Sequence, residues 1–259
     1  MICIDVAGRG ESGWLGSPLE YHFGQFVSDI EALIAHLGIR EVDWVGTSMG
    51  GLLGLLLASR PGSPVRRLVM NDIGAYVPLD AMLAIAQNLE SPGHFASLDE
   101  VEAHLRRTRS TWGEISGEQW LQMALHGSRP DGDGFRLHYD PRIARLMRAG
   151  PVGSGLFFWG SWSQVRCPVL LLRGEDSRIF PPSVAAAMVE TKREAHLVEI
   201  PGCGHAPSLM AESQIAIVRE FIQWRRLPSS SSRGSSRTPT YSAHKSRVSA
   251  GSPPAPLPT

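Results

Sequence analysis

Ten residues constrain this chain more than any others: Val42-Asp43-Trp44-Val45-Gly46-Thr47-Ser48-Met49-Gly50-Gly51. They read as a short apolar strand, a sharp turn at Ser48, and an apolar helix running through Leu52 to Ser59. Gly46-Thr47-Ser48-Met49-Gly50 fits Gly-x-Ser-x-Gly, the pattern of a nucleophilic serine on a tight strand-to-helix turn. Such a turn strains the serine backbone and presses the positions two before and two after it together, where glycine has no Cβ to clash. It lifts the hydroxyl towards a base. It also aims the positive end of the helix, and the Met49 N–H, at a developing oxyanion.

Around this stretch the apolar spacing alternates between two periods. Residues 2–6 read as a buried strand. Phe26, Val27, Ile30, Leu33, Ile34 and Leu37 recur at helical spacing, and Gly38 is placed to end that helix. Strands are expected at 41–46 and 65–71, the second leading into Asp72-Ile73-Gly74. Strand, helix, strand, helix, strand implies a mostly parallel sheet with helices on both faces, an α/β class fold. Residues 1–77 form the first part of this core. Residues 78–165 break the alternation and read as an inserted helical cap, with helices at 79–89, 98–109, 117–125 and 141–148. The core resumes over 166–227 with strands at 167–173 and 196–200 and helices at 182–189 and 215–224. Residues 228–259 are Ser/Pro/Arg-rich, with four basic and no acidic side chains. Too little apolar surface is present there to offset chain entropy, so a disordered, solvated tail is expected.

Several function classes are disfavoured. The formal net charge is zero, which gives no reason to expect nucleic acid or an anionic membrane as partner. The longest apolar run, near Gly51 to Ala58, is too short to span a bilayer. Gly8-Arg9-Gly10 has no Lys-Ser/Thr partner and no helix directly after it, so it does not read as a phosphate loop. His94, His104, His126 and His138 lack metal-ligand spacing, and no metal or organic cofactor is expected. Cys3, Cys167 and Cys203 are odd in number and read as free thiols, which suits a reducing cytoplasm.

An activated serine needs a base and an orienting acid. His205, in Pro201-Gly202-Cys203-Gly204-His205 at the end of the last strand, is the best base. Asp176 follows the penultimate strand and is the first choice of acid. Asp72, after the strand next to the serine, is the alternative, with Glu175 behind.

With these motifs in place, the chain resembles the α/β-hydrolase fold family. It is similar to the bacterial subgroup with Gly-Thr-Ser-Met-Gly-Gly, Asn-Asp-Ile-Gly and Pro-Gly-x-Gly-His-Ala-Pro, here residues 46–51, 71–74 and 201–207. The similarity runs from about Ile2 to Trp224. It implies a serine hydrolase of a small, ester-like molecule, with Ser48 as nucleophile, His205 as base, Asp176 as acid and the Met49 N–H in the oxyanion hole. Two departures stand out. Relatives often place the acid where this chain has Arg178, so Asp176 would serve from two residues earlier. The family also has further strands and a His-Gly oxyanion loop before the position where this chain opens. An N-terminally truncated chain is therefore expected, and a binding protein with impaired catalysis is the alternative to the enzyme.

Overall fold

The computed structural model describes residues 1–88, 93–143 and 155–223. The expected Ser/Pro/Arg-rich tail and most of the helix expected at 141–148 lie outside these residues.

After a single 3₁₀ turn at Pro18–Glu20, helix α1 spans Phe23–His36. His22 Nδ1 accepts the Gln25 N–H at its start. At its end Gly38 takes φ 63°, its N–H donating to Ala35 O while Ile39 N–H donates to Ile34 O. That pair of bonds is the glycine-dependent helix stop the sequence suggested. Strand β1 (Val42–Thr47) then feeds α2 (Met49–Ala58), and β2 follows at Val65–Asn71.

The next elements leave the central sheet. They are β3 (Tyr76–Pro78), α3 (Leu79–Asn88), α4 (Leu98–Thr108), α5 (Gly117–Gly127), β4 (Ser128–Asp131), β5 (Gly134–Leu137), β6 (Gly155–Phe157) and α6 (Trp159–Gln164). The sequence led us to expect helices alone here. Instead β4 and β5 form a hairpin and β3 pairs antiparallel with β6. These strands are three or four residues long, too short for a period-2 pattern to register. Phe95, Val101, Leu105, Trp120, Ala124 and Leu137 bury one another between α4, α5 and the hairpin, giving this segment a core of its own.

The chain returns through β7 (Val169–Gly174), α7 (Pro182–Thr191), β8 (Ala195–Ile200) and α8 (Glu212–Gln223). The central sheet has the order β1-β2-β7-β8, and every pair is parallel. Alternate residues of its inner strands face opposite layers. Leu68, Met70, Val169 and Leu171 join the main core with α1, α2 and α7. Val69, Leu170 and Leu172 pack beneath Phe221 of α8. Being covered on both faces explains why β7 opens with the unbroken apolar run 169–172.

Residues 2–6 correct one expectation, for they form no strand. A strand needs a paired neighbour for its backbone groups, and among the described residues no strand pairs with this segment. Met1, Ile2 and Ile4 remain exposed. No described helix is long and apolar enough to cross a membrane.

Candidate active site

A parallel sheet sends all its strands towards one edge, so the residues just past each carboxyl end share a neighbourhood. Thr47 of β1 sits level with Asn71 of β2, which sits level with Leu172 of β7, and Gly174 pairs with Ile200 of β8. Ser48, Asp72, Glu175-Asp176 and the 201–205 loop therefore emerge side by side.

Ser48 has φ 51° and ψ −118°, a conformation few L-residues adopt. Its N–H donates to Asn71 O at 2.9 Å, tying the turn to the adjacent strand end. A Cβ on Gly46 would lie 2.2 Å from the Gly50 carbonyl carbon and oxygen, so the close approach is of strand backbone to helix backbone. Gly51 is also closely confined, 2.5 Å from Ile73 Cγ2, whereas a Cβ on Gly50 would meet nothing within 4 Å. The steric demand thus falls on Gly46 and Gly51, not on Gly50 as the motif implied. Gly46→Ala is expected to destabilise the fold by about 3 kcal/mol. Gly50→Ala, within α2, is expected to change stability by no more than about 1 kcal/mol. Urea unfolding of the two variants checks both.

His205, after β8, reaches back past the ends of β7 and β2 to this turn. Its Nε2 lies 3.0 Å from Ser48 Oγ and its Nδ1 lies 2.8 Å from Asp72 Oδ2. An ionised carboxylate only accepts, so Nδ1 carries the proton and Nε2 is left to accept from the hydroxyl. Asp72 is fully buried and has φ 54°. The Gly174 N–H donates to its Oδ1 at 2.8 Å, and Ser177 Oγ donates to its Oδ2 at 2.6 Å.

Asp176, the first choice of acid, is placed elsewhere. Its side chain is exposed, its N–H donates to Cys203 O at 2.8 Å, and His205 Nδ1 bonds to Asp72 instead. Glu175 is also exposed and accepts from the Gly202 N–H at 3.3 Å. The end of β7 and the loop after it, expected to supply the acid, instead supply donors to the Asp72 carboxylate, which directly follows β2.

Sequence reasoning missed the supporting residues. Asn71 is fully buried, and its Nδ2 donates to Thr47 Oγ1 and to Pro207 O, joining both strand ends to the histidine loop. Its place directly before Asp72 at a strand terminus was the available signal. Thr111 carries the second support: its carbonyl accepts from Gly204 N–H at 2.7 Å and its hydroxyl donates to His205 O at 3.1 Å. Trp112 O accepts from the Ser208 N–H. Nothing in the sequence around Thr111 marked that contact.

Met49 is the first residue of α2, so its N–H has no partner in the helix ladder. Burial raises the Cys203 thiol above its ordinary value, with Asp72 and Asp176 adding to the effect, so it stays protonated near neutral pH beside the histidine. Among the described residues no group of three or more His, Cys, Asp or Glu side chains could hold a metal ion.

Comparison with known proteins adds three findings. Residues 1–219 match the model of a family described as "Alpha/beta hydrolase family". A 3-hydroxybutyrate-oligomer hydrolase from Cupriavidus necator is 38% identical over 230 residues, covering 86% of this chain and 78% of that protein. Among solved structures, a putative hydrolase from Rickettsia typhi superposes with a TM-score of 0.78 at 27% identity, over 85% of this chain and 75% of the other. An alpha/beta hydrolase from Novosphingobium aromaticivorans gives 0.75 at 29% identity, over 84% and 78%.

Proposed function

The chain belongs to the alpha/beta hydrolase family and is a hydrolase of esterase type, and from that premise we propose that it cleaves a small ester through Ser48, His205 and Asp72. The unbroken hydrogen-bonded line from Ser48 Oγ through His205 to Asp72 carries the reading. It also weighs against a protein that only binds.

In this mechanism His205 Nε2 takes the Ser48 proton as Oγ attacks the ester carbonyl. The Met49 N–H donates to the oxyanion at the head of α2, where the helix dipole adds to it. His205 then gives the proton to the leaving alcohol, and the acyl group stays on Ser48. Water, deprotonated by the same nitrogen, attacks the acyl-enzyme, and His205 returns that proton to Ser48 Oγ as the acid is released. Asp72 holds the imidazole in the tautomer with Nδ1–H and offsets the charge on the imidazolium. Gly174 N–H and Ser177 Oγ keep the carboxylate aimed at that nitrogen. The similarity to a 3-hydroxybutyrate-oligomer hydrolase makes a short hydroxyacid oligoester the first substrate to test.

Labelling with a fluorophosphonate, followed by peptide mass spectrometry, tests the assignment. A single adduct on Ser48, absent from the His205→Ala protein, is the expected result. Folded protein that takes no label would remove Ser48 as nucleophile.

A further inference from the structure

Two guanidinium groups, those of Arg9 and Arg109, pair with no carboxylate among the described residues. Arg9 lies in the loop that follows the extended N-terminal segment and forms a β-bridge with Tyr139, just after the β4–β5 hairpin. Gly10 N–H donates to His138 O and Asp140 N–H to Gly8 O, so the loop is fastened on both sides of that bridge. Arg9 Nη1 is buried and has no hydrogen-bond partner. Arg109 ends α4, with its guanidinium 5.3 Å from the Trp112 ring centre and its Nη1 donating to Thr108 Oγ1. Two residues later comes Thr111, which holds the His205 loop at 2.7 and 3.1 Å.

Among the described residues neither guanidinium is paired with a carboxylate. The nearby acids are used elsewhere: Asp140 by Tyr21 and Arg142, Asp5 by the Glu11 N–H, and Glu11 by His138 at 3.6 Å. Burial lowers the affinity of both arginines for their protons and raises the Tyr139 phenol, on which both cations act. A buried guanidinium nitrogen without a hydrogen bond, as at Arg9 Nη1, is costly, and a protein retains one most readily where a ligand completes it. The planar fork of arginine matches a carboxylate.

We infer that Arg9, bridged to Tyr139, and Arg109, two residues before the Thr111 that holds the His205 loop, form a subsite for a carboxylate that the substrate carries away from its scissile ester. The inference rests on the ester-hydrolase reading above and narrows it to anionic esters, of which an oligoester with a free acid end is the plain case.

The test uses the linear dimer of 3-hydroxybutyrate with a free terminal acid, and the same dimer with that acid as a primary amide. Each is run as a competitor of 4-nitrophenyl acetate hydrolysis, which reads binding whether or not the competitor is cleaved. The acid is expected to compete about 10–100-fold more tightly than the amide in the unaltered protein. In Arg9→Gln and Arg109→Gln the ratio is expected to fall to within about threefold, and Arg109→Lys should keep an intermediate ratio. Equal competition by acid and amide in the unaltered protein overturns the inference, and that arm needs no variant to fold. A preference that survives both Gln variants overturns it too. Absence of 4-nitrophenyl acetate turnover and of Ser48 labelling would instead be a failure of the hydrolase reading. Calorimetry with the same two dimers then decides the subsite separately.

Discussion

Ser48→Ala is expected to lower kcat/KM for an activated ester by about 10⁴–10⁶-fold while the fold is kept. The size follows from the single point of attack: the other groups can only stabilise a transition state that Ser48 Oγ creates. Keeping the fold follows from what holds the turn. Ser48 is fixed by its backbone N–H on Asn71 O and by the contact of Gly46 with Gly50, neither of which involves the hydroxyl. His205→Ala should cost about as much, and the double variant little more than either, because the two act as one unit. Steady-state kinetics beside circular dichroism checks this. A Ser48→Ala protein that retains a tenth of the activity would exclude the mechanism.

Asp72→Asn is expected to lower kcat by about 10³–10⁴-fold, while Asp176→Asn stays within about threefold of the unaltered enzyme. The asparagine fits the space of Asp72 but offers an N–H₂ or a neutral oxygen to His205 Nδ1. The imidazole then loses the charge that fixed its tautomer and supported its imidazolium. Asp176 is exposed and turned towards Cys203 through its backbone, so its amide analogue changes little at His205. The reverse outcome, a large loss at Asp176 and a small one at Asp72, would mean that the acid is supplied as the sequence order first suggested.

That contrast also marks where sequence reading ends. The glycine and apolar spacing around Ser48 made the strand, turn and helix legible, and the alternation over 23–71 made the parallel sheet legible, because both depend on local periods. The choice of acid depends on which strands are neighbours. With the order β1-β2-β7-β8, the end of β2 lies between the serine and the loop after β7. Asp72 is therefore closer to hand, and a difference of one strand position leaves no local signature. Residues 2–6 have strand composition, yet composition cannot supply a partner. The β4–β5 hairpin and Thr111 were hidden for a related reason, since short strands and single tertiary contacts leave no periodic trace. Arg9 sits in a glycine-flanked segment that lacks the features of a phosphate loop, and the burial of its Nη1 is a tertiary property with no local trace.

The contacts of Thr111 with Gly204 and His205 have a consequence for anyone who would re-engineer this protein. The inserted segment that carries Thr111 and the loop that carries His205 are fastened to each other. That segment is thus not an interchangeable module, to be swapped while the histidine loop is left alone. A graft that omits an equivalent of the Thr111 carbonyl and hydroxyl would detune His205 as well. Directed change of selectivity should therefore spare Thr111 and Trp112 and work outward from them.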